Sequence, residues 1–252
     1  MSYRTLSNAA YRKAMDEWLA DLIKEAADYP RPLHPAIRNF QNFIETNADI
    51  YVLFAAMFMS ENSRKKHYLN KAVGLFQHQG DRPKVQSYQH MLELLNVILT
   101  KAPEYRATNL IRTLPILSLL GQFAQTEAGS AVFLNEKVNE QIQLLLDAWG
   151  RFLSSGESGS VLNTNPRTGW LGEDAMNSMP DFDRDFVCDP AAPHYGFRSW
   201  DDFFTRQLKP GARPISSPDD DFVIVNACES APHNPSSSSA QCPEYCHVQG
   251  RS

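Results

Sequence analysis

The stretch AVFLNEKVNEQIQLLLDAWGRFL, residues 131–153, decides the fold class. Its apolar residues recur every three or four positions, at Val138, Ile142, Leu145, Trp149 and Leu153. That spacing is typical of one buried face of an amphipathic helix. The residue just before the stretch is Ser130, whose hydroxyl suits a helix N-cap, so we expect the helix to begin there.

The same periodicity runs back through the first 155 residues. A helix is predicted from Tyr11 until Tyr29-Pro30, because proline disfavours a helical conformation in the residue before it. Further helices are predicted at Pro35 to about Met59, Lys66 to Phe76, Val85 to Leu99 and Asn109 to Gln125. Short connections between six helices indicate a mainly α protein with an N-terminal multi-helix bundle or array.

Composition restricts the partners and the compartment. The chain carries 24 Lys and Arg against 29 Asp and Glu, a net charge of −5, and has no sustained basic run, so nucleic acid is not an expected partner. The longest apolar run, Ile50 to Met59, is about half of a ~20-residue membrane span. No signal-peptide apolar region is present at the N-terminus, and the cytoplasm is the expected compartment.

Composition changes after Leu153, where a Ser/Gly/Asn-rich segment begins. We expect a helical domain over 1–155, a linker or loop region over 156–196, the start of a second domain over 197–231 and an unstructured tail over 232–252. Phe222 to Val225 (FVIV) is β-branched and bounded by turn residues, which favours a buried strand and gives the second domain a short α+β character.

The segment FRSWDDFFTRQLKPGARPI, residues 197–215, contains adjacent aspartates, Asp201 and Asp202. Paired carboxylates can serve acid/base catalysis, but neighbours in a helix point in different directions. Ser199 followed by two acids fits a helix N-cap, which favours a structural role for both aspartates. We expect Phe203, Phe204 and Leu208 to form one apolar face, and the helix to stop at Pro210-Gly211.

This segment resembles the FFxRxLKPGxRP motif of phosphatidylserine decarboxylases, which precedes their catalytic β domain. Residues 224–230, IVNACES, stand where that family has a strand followed by an aspartate, which places Glu229 at the aspartate position. Residues 114–129, 144–162 and 169–171 resemble the helical extension of the branch that includes L-tryptophan decarboxylases. The resemblance covers about residues 30–231.

The resemblance implies a carboxy-lyase with a pyruvoyl cofactor. In that family a serine of a Gly-Ser pair cleaves its own chain and becomes the pyruvoyl group, which acts as the electron sink for decarboxylation. The implied substrate is a small molecule, either an amino acid or an aminophospholipid head group, within amine or phospholipid biosynthesis. Glu229 is the implied acidic partner of the self-cleavage base, with a strand-end carboxylate as the alternative.

The other parts of that machinery are not recognisable in the sequence. The chain has two Gly-Ser pairs, Gly129-Ser130 and Gly159-Ser160, and both precede the motif, whereas the family cleavage site follows it. The histidines considered are interpreted as surface or core-edge residues, at His67, His78, His90, His233 and His247. We therefore expect no pyruvoyl group in this chain and no decarboxylation by it alone. Loss of family character after Pro232 indicates a truncated or frame-shifted product.

Two alternatives remain open. The helical region could act as a non-catalytic interaction module that binds a full-length decarboxylase. Cys242, Cys246 and His247 could form a zinc site, but no second well-spaced pair accompanies them, and we expect no metal. Because the four cysteines all lie in the last third of the chain, the helical core does not depend on disulfides.

Overall fold

A computed structural model describes residues 8–68, 85–106, 114–124, 126–223 and 225. The α-helices are α1 (Asn8–Asp28), α2 (Pro35–Thr46), α3 (Ala48–Tyr68), α4 (Tyr88–Ile98), α5 (Pro115–Ala124), α6 (Glu127–Phe133), α7 (Glu136–Leu153), α8 (Glu173–Ser178), α9 (Phe182–Asp185) and α10 (Trp200–Phe204). A 3-10 helix occupies Gly156–Val161, and Pro193–Gly196 form a tight turn in which His194 and Tyr195 have left-handed φ values of 53° and 56°. The mainly α fold class is confirmed.

The long stripe of residues 131–153 is helical, but its start differs from the prediction. Ser130 lies inside α6, which is capped by Thr126, whose Oγ1 accepts from the Gly129 amide at 3.0 Å. A second cap, Asn135, accepts from the amides of Lys137 and Val138 and begins α7. The Ser130 prediction is wrong because two better-placed capping residues divide the stretch into two helices.

The predicted helix from Pro35 to Met59 is also two helices. The backbone of Asn47 is extended between α2 and α3, and its side-chain amide donates to the Phe43 carbonyl at 2.7 Å. Asparagine favours such local bonds over a continuing helix. The predicted helix from Lys66 to Phe76 lies mostly outside the described residues, although α3 itself continues to Tyr68.

Helix α4 is the centre of the core. It contacts α1, α2, α3 and α5, and eight of its side chains are buried. A helix that is apolar on nearly all sides belongs in the interior. Its buried Asn96 is satisfied, since the side chain accepts from the His34 amide at 2.7 Å and donates to the Pro32 carbonyl at 3.2 Å. That pair of bonds fixes the turn between α1 and α2 against α4.

Residues 154–204 pack onto the same core through short helices. The 3-10 helix Gly156–Val161 contacts both α7 and α10. Its Ser158 is fully buried, donates to the Leu153 carbonyl at 2.6 Å, and accepts from the Trp200 amide at 2.9 Å. One hydroxyl therefore joins the end of α7 to the start of α10. The domain boundaries expected from composition stay a prediction.

The described residues contain a single strand-like pairing, the antiparallel bridge between Phe186 and Leu208. The strand predicted over Phe222–Val225 is not formed by the residues of that run that the structure describes. Phe222 is 98% exposed, and neither Val223 nor Val225 lies in a strand. A strand requires a partner for its backbone groups, and the described part of the chain offers none beside this run. Among the described helices, none is long and apolar enough to cross a membrane.

Candidate functional site

The two aspartates of the motif segment have structural partners. The structure confirms the cap at Ser199, whose Oγ accepts from the Asp202 amide at 3.1 Å. Asp202 also accepts from the backbone and side chain of Arg198 at 3.0 and 3.2 Å, and these bonds lower the pKa of its carboxyl group. Asp201 accepts from the Ser154 hydroxyl at 3.1 Å. Both carboxylates hold α10 in place, as its sequence predicts.

Helix α10 is shorter than expected and ends at Phe204, well before Pro210-Gly211. Only one of its adjacent phenylalanines is buried: Phe203 is 1% exposed and Phe204 62%. The ring of Phe204 stacks on Trp200 at 4.9 Å, near the surface. Leu208 is 44% exposed, so the predicted single apolar face is wrong. Phe204 follows Phe203 by one residue and therefore points about 100° away from it around the helix, and Leu208 lies beyond the end of α10.

The arginine of the motif, Arg206, lies among aromatic rings. Its guanidinium carbon is 4.3 Å from the ring centre of Phe186 and 5.1 Å from those of Phe182 and Phe203. One of its nitrogens donates to the Phe203 carbonyl at 3.1 Å. Burial lowers the pKa of Arg206. Ring faces stabilise a planar cation, so this arginine holds the motif onto α9.

The remainder of the motif is fastened to the same place. The Val187 amide donates to the Gln207 carbonyl, and the Lys209 amide donates to the Asp185 carbonyl, each at 2.8 Å. The Asp185 carboxylate lies 3.6 Å from Arg213, and the hydrogen bond from Arg184 lowers the pKa of its carboxyl group. The described residues of the motif are therefore held against residues 184–187 by backbone hydrogen bonds and one ion pair.

Neither Gly-Ser pair fits a pyruvoyl precursor. The amide of Ser130, which would have to leave as a new amine, donates to the Thr126 carbonyl at 2.7 Å inside a helix. The Gly159 carbonyl, which would have to be attacked, accepts from the Leu162 amide at 2.9 Å. Both peptide bonds are therefore ordinary helical bonds, engaged in hydrogen bonds that stabilise the unreacted peptide.

The remaining residues that the sequence singled out lie mostly elsewhere. Glu229 falls outside the described residues, together with His78, His233 and His247. The side chain of His67 also falls outside them. His90 is half-buried at the start of α4, where its ring accepts from the Gln86 amide at 3.2 Å. This core-edge position agrees with its interpretation as a structural residue.

Two histidines with clear roles were missed. His34 is the N-cap of α2 and accepts from the Ala36 amide at 3.1 Å, a role that its position directly before Pro35 could have indicated. The ring of His194 donates to the Leu162 carbonyl, and its backbone has a left-handed φ of 53°. No local sequence pattern predicts this contact between the His194 ring and the Leu162 carbonyl, which are 32 residues apart.

A cleft of about 520 Å³ opens between α1, the end of α4, the start of α5 and the 3-10 helix Gly156–Val161. Trp18, Leu22 and Phe152 contribute apolar surface to it. Its charged lining is mainly acidic, with Asp21, Glu25, Glu104 and Glu157 accompanied by Lys101. The volume lies in the ordinary range of small-molecule sites. The cleft could not be predicted from sequence, because its walls come from five separate segments.

One wall of the cleft, residues 100–104, and the neighbouring Tyr105 are held in place by long-range hydrogen bonds. The indole N–H of Trp149 donates to the Lys101 carbonyl at 2.9 Å, and that of Trp170 donates to the Pro103 carbonyl at 2.6 Å. The Tyr105 hydroxyl donates to the Asp174 carbonyl at 3.1 Å. A wall fixed by three such bonds has its shape before any ligand arrives.

The described residues include no group of three or more His, Cys, Asp or Glu side chains able to hold a metal ion. The cysteine they contain, Cys188, is half-buried, and burial raises the pKa of its thiol. The zinc site considered at Cys242, Cys246 and His247 lies outside the described residues.

The sequence profile of phosphatidylserine decarboxylase matches residues 34–179, more than half of the chain. The chain belongs to the phosphatidylserine decarboxylase family. The resemblance inferred from its motifs is thus confirmed at the level of the family. The matched region runs from the cap of α2 to the end of α8, and it includes most of the cleft and both Gly-Ser pairs.

Three curated proteins are similar to this family member. It is 28% identical to the L-tryptophan decarboxylase of Psilocybe cubensis over 93% of its own length and 51% of the relative. It is 28% identical to the L-tryptophan decarboxylase of Psilocybe cyanescens over 90% of the chain and 49% of the relative. It is 41% identical to decarboxylase iboD of Amanita muscaria (strain Koide BX008) over 48% of the chain and 36% of the relative. The chain spans about half the length of the two L-tryptophan decarboxylases.

Proposed function

We propose that this decarboxylase-family protein takes part in the decarboxylation of an aromatic amino acid, with L-tryptophan as the first substrate to test. The observation that carries the proposal is the alignment with two L-tryptophan decarboxylases over 93% and 90% of the chain. Alignments of that extent take in most of the helical core together with the 197–215 segment. Phosphatidylserine, the other substrate class of the family, is the comparison substrate.

The reaction fixes what the cofactor must do. An amino acid loses CO2 and takes up one proton, so that its α carbon ends as a methylene next to an ammonium group. The electron pair left on that carbon requires an electrophilic carbonyl as a sink, which a pyruvoyl group supplies. We propose pyruvoyl dependence for this protein on family grounds. Because neither described Gly-Ser pair fits the precursor, we also propose that this chain alone does not decarboxylate.

The first experiment tests the isolated chain. Purified protein is incubated with carboxyl-labelled L-tryptophan, and separately with labelled phosphatidylserine, while released CO2 and the intact mass are followed. We expect one uncut species and no CO2 above a sample pretreated with borohydride, which reduces any reactive carbonyl. Scission at Gly129-Ser130 or Gly159-Ser160 that leaves a pyruvoyl group at the new N-terminus, detected by its mass, or CO2 release that borohydride abolishes, would show that the chain contains its own electron sink.

The second experiment tests the family role and Glu229. Residues 1–230 are fused to the sequence that follows the aligned region in the Psilocybe cubensis L-tryptophan decarboxylase. We expect this fusion to cleave itself into two fragments and to decarboxylate L-tryptophan. We propose that Glu229 orients the base for that cleavage, so Glu229→Gln should slow the appearance of the fragments while Glu229→Asp, which restores the acid of the family, should not.

The matched control for Glu229 is Glu173→Gln, at an exposed acid in the first turn of α8. It should cleave like the parent fusion. A fusion that is helical by circular dichroism but never cleaves would refute the proposed role of this chain in a pyruvoyl enzyme. Equal cleavage by Glu229→Gln and the parent would refute the role of Glu229 alone.

A second candidate function, a helical module that binds a full-length decarboxylase, is favoured by exposed apolar side chains on and around the motif. These are Val187 (52%), Phe204 (62%), Leu208 (44%) and Ile215 (65%). Co-elution of this chain with the Psilocybe cubensis enzyme on size exclusion would support this role. Phe204→Glu should abolish co-elution, and Leu134→Glu, at a residue 78% exposed elsewhere, should not.

A further inference from the structure

Arg206 is a partly buried cation that pairs with no acidic side chain of the described residues. Its guanidinium donates to a backbone carbonyl, that of Phe203, at 3.1 Å. The aromatic rings around it stabilise the charge but offer no hydrogen-bond acceptor in their plane. Burial and the positive charge of Arg213 both lower the pKa of Arg206. A cation that is partly removed from water costs free energy unless an opposite charge compensates it.

The buried acid of the preceding segment, Asp185, is already engaged by other arginines. One of its carboxylate oxygens accepts from Arg184 at 2.8 Å, and the other lies 3.6 Å from Arg213. Each oxygen of Asp185 therefore faces a cation other than Arg206. A carboxylate that compensates Arg206 would have to come from outside the part of the chain that the structure describes.

A second observation concerns buried donors in the same segment. Among the described side chains, the buried nitrogen and oxygen atoms without a hydrogen-bond partner are Nε of Arg206 and Nε1 of Trp200. Both belong to α10 or to the residues directly after it. Most buried donors in folded proteins are paired, and an unpaired donor gains free energy when an acceptor reaches it. Their occurrence together in one short segment indicates a surface that binds a partner.

Exposed apolar surface adjoins the arginine. Phe186 and Leu208 lie opposite each other in the antiparallel bridge, and directly opposite residues project their side chains to the same face. The guanidinium carbon of Arg206 is 4.3 Å from the ring centre of Phe186, which places the cation on that face as well. Leu208 is 44% exposed. Arginine and aromatic side chains are enriched at the energetic centres of protein interfaces, so this composition favours a protein partner.

We propose that Arg206 is a docking point for a polypeptide segment that carries an acidic side chain among apolar ones. The carboxylate pairs with the planar guanidinium, and the apolar neighbours pack on Phe186 and Leu208. Arg206 does not line the cleft described above, and a polypeptide supplies the carboxylate and the apolar contacts together. The proposal goes beyond decarboxylation and rests on the second candidate function only for the identity of the partner.

Nuclear magnetic resonance of the full chain, labelled with nitrogen-15 arginine, tests the site through the Nε–H signals. The signal of Arg206 is identified by its disappearance in Arg206→Lys. The probes are N-acetyl-Leu-Asp-Leu-amide, the matched Asn peptide, and acetate. We expect the Asp peptide to shift this signal saturably and to bind about fivefold more tightly than the Asn peptide, the upper range for an ion pair at a surface. Acetate should bind more weakly than the Asp peptide because it lacks the apolar contacts. The preference for Asp should fall as NaCl is raised from about 0.05 to 0.5 M.

A pair of variants at Leu208 locates the contact. Leu208→Asp places an acid on the face of Arg206, so it should engage the guanidinium from within the chain and abolish the preference for the Asp peptide. Leu208→Asn, which has the same shape without the charge, should retain the preference. Both changes are at an exposed residue, and circular dichroism checks that the fold persists. The reference is Arg167, an exposed arginine of another segment, whose signal should respond equally to both peptides.

The outcomes separate this inference from the functions proposed above. Equal affinity for the two peptides, no shift of the Arg206 signal at millimolar peptide, or an undiminished preference in Leu208→Asp would refute the docking point. Acetate binding as tight as that of the Asp peptide would refute a polypeptide as the occupant. A fusion that decarboxylates L-tryptophan while these tests fail would leave the proposed function intact. Asp-selective binding by a chain that does not co-elute with the Psilocybe cubensis enzyme would support the docking point and refute only that enzyme as the partner.

Discussion

Replacing Phe203 by alanine should destabilise the protein far more than the same change at its neighbour Phe204. Phe203 is 1% exposed, and its ring centre lies 5.4 Å from Phe197, 5.5 Å from Trp170 and 5.7 Å from Phe182. Truncating a buried phenylalanine costs about 3–5 kcal/mol, because apolar burial is lost and a cavity remains. The substitution would also remove one of the three rings around Arg206.

Phe204 is the matched control because it lies in the same helix and is 62% exposed. It loses chiefly its stacking on Trp200, at 4.9 Å, so we expect Phe204→Ala to cost about 1 kcal/mol. Urea unfolding followed by circular dichroism gives both free energies of unfolding, and Phe203→Leu, which keeps most of the apolar volume, should fall between them. Similar losses in the free energy of unfolding for Phe203→Ala and Phe204→Ala would refute the conclusion that only Phe203 is part of the core.

The remaining predictions concern the contacts of α10. Ser158→Ala leaves the buried Trp200 amide without its acceptor and should lower the free energy of unfolding by about 2 kcal/mol. The control is Ser160→Ala, at an exposed serine of the same 3-10 helix, which should change the free energy of unfolding by less than about 0.5 kcal/mol. Urea midpoints measure both, and a loss at Ser160 as large as that at Ser158 would contradict the assignment. Arg198 lowers the pKa of Asp202 in the folded state, so the ionised carboxylate stabilises the fold at pH values above the ordinary aspartate pKa near 3.9. That stabilisation is lost as the pH falls from about 5 through the lower pKa of the folded state. Asp202→Asn should therefore lose less thermal stability than the parent between pH 5 and pH 3, and parallel curves of melting temperature against pH would disprove this.

Helices could be predicted where apolar periodicity is local. The stripe from Val138 to Leu153 identified α7, and Ser199 with Asp202 identified the cap of α10. Breaks inside periodic stretches were harder, because Asn47 and Asn135 end or begin helices through single side-chain bonds that leave the apolar pattern unchanged. The predicted helix boundaries were therefore wrong where a single polar side chain ends or begins the helix without any change in the hydropathy pattern.

The candidate site was beyond local prediction for a different reason. The motif was recognisable as a string, but the rings around Arg206 include Phe182 and Phe186, which are contributed by an earlier segment. The strand expected at Phe222 was misread because apolar, β-branched composition shows compatibility with a sheet and cannot show that a neighbouring strand is present. The ring cluster around Arg206 and the absence of a strand at Phe222 both depend on contacts between segments distant in sequence, which a local pattern does not reveal.

The anchoring of residues 101–103 by two indoles has an evolutionary consequence. Trp149 and Trp170 stand 48 and 67 residues from the carbonyls they hold, and neither tryptophan lines the cleft. Drift in the packing beneath those rings would shift the wall and alter which ligands fit, while every lining residue stays unchanged. Descendants of one ancestor could in this way diverge in ligand preference through their interiors, without a single substitution at the binding surface.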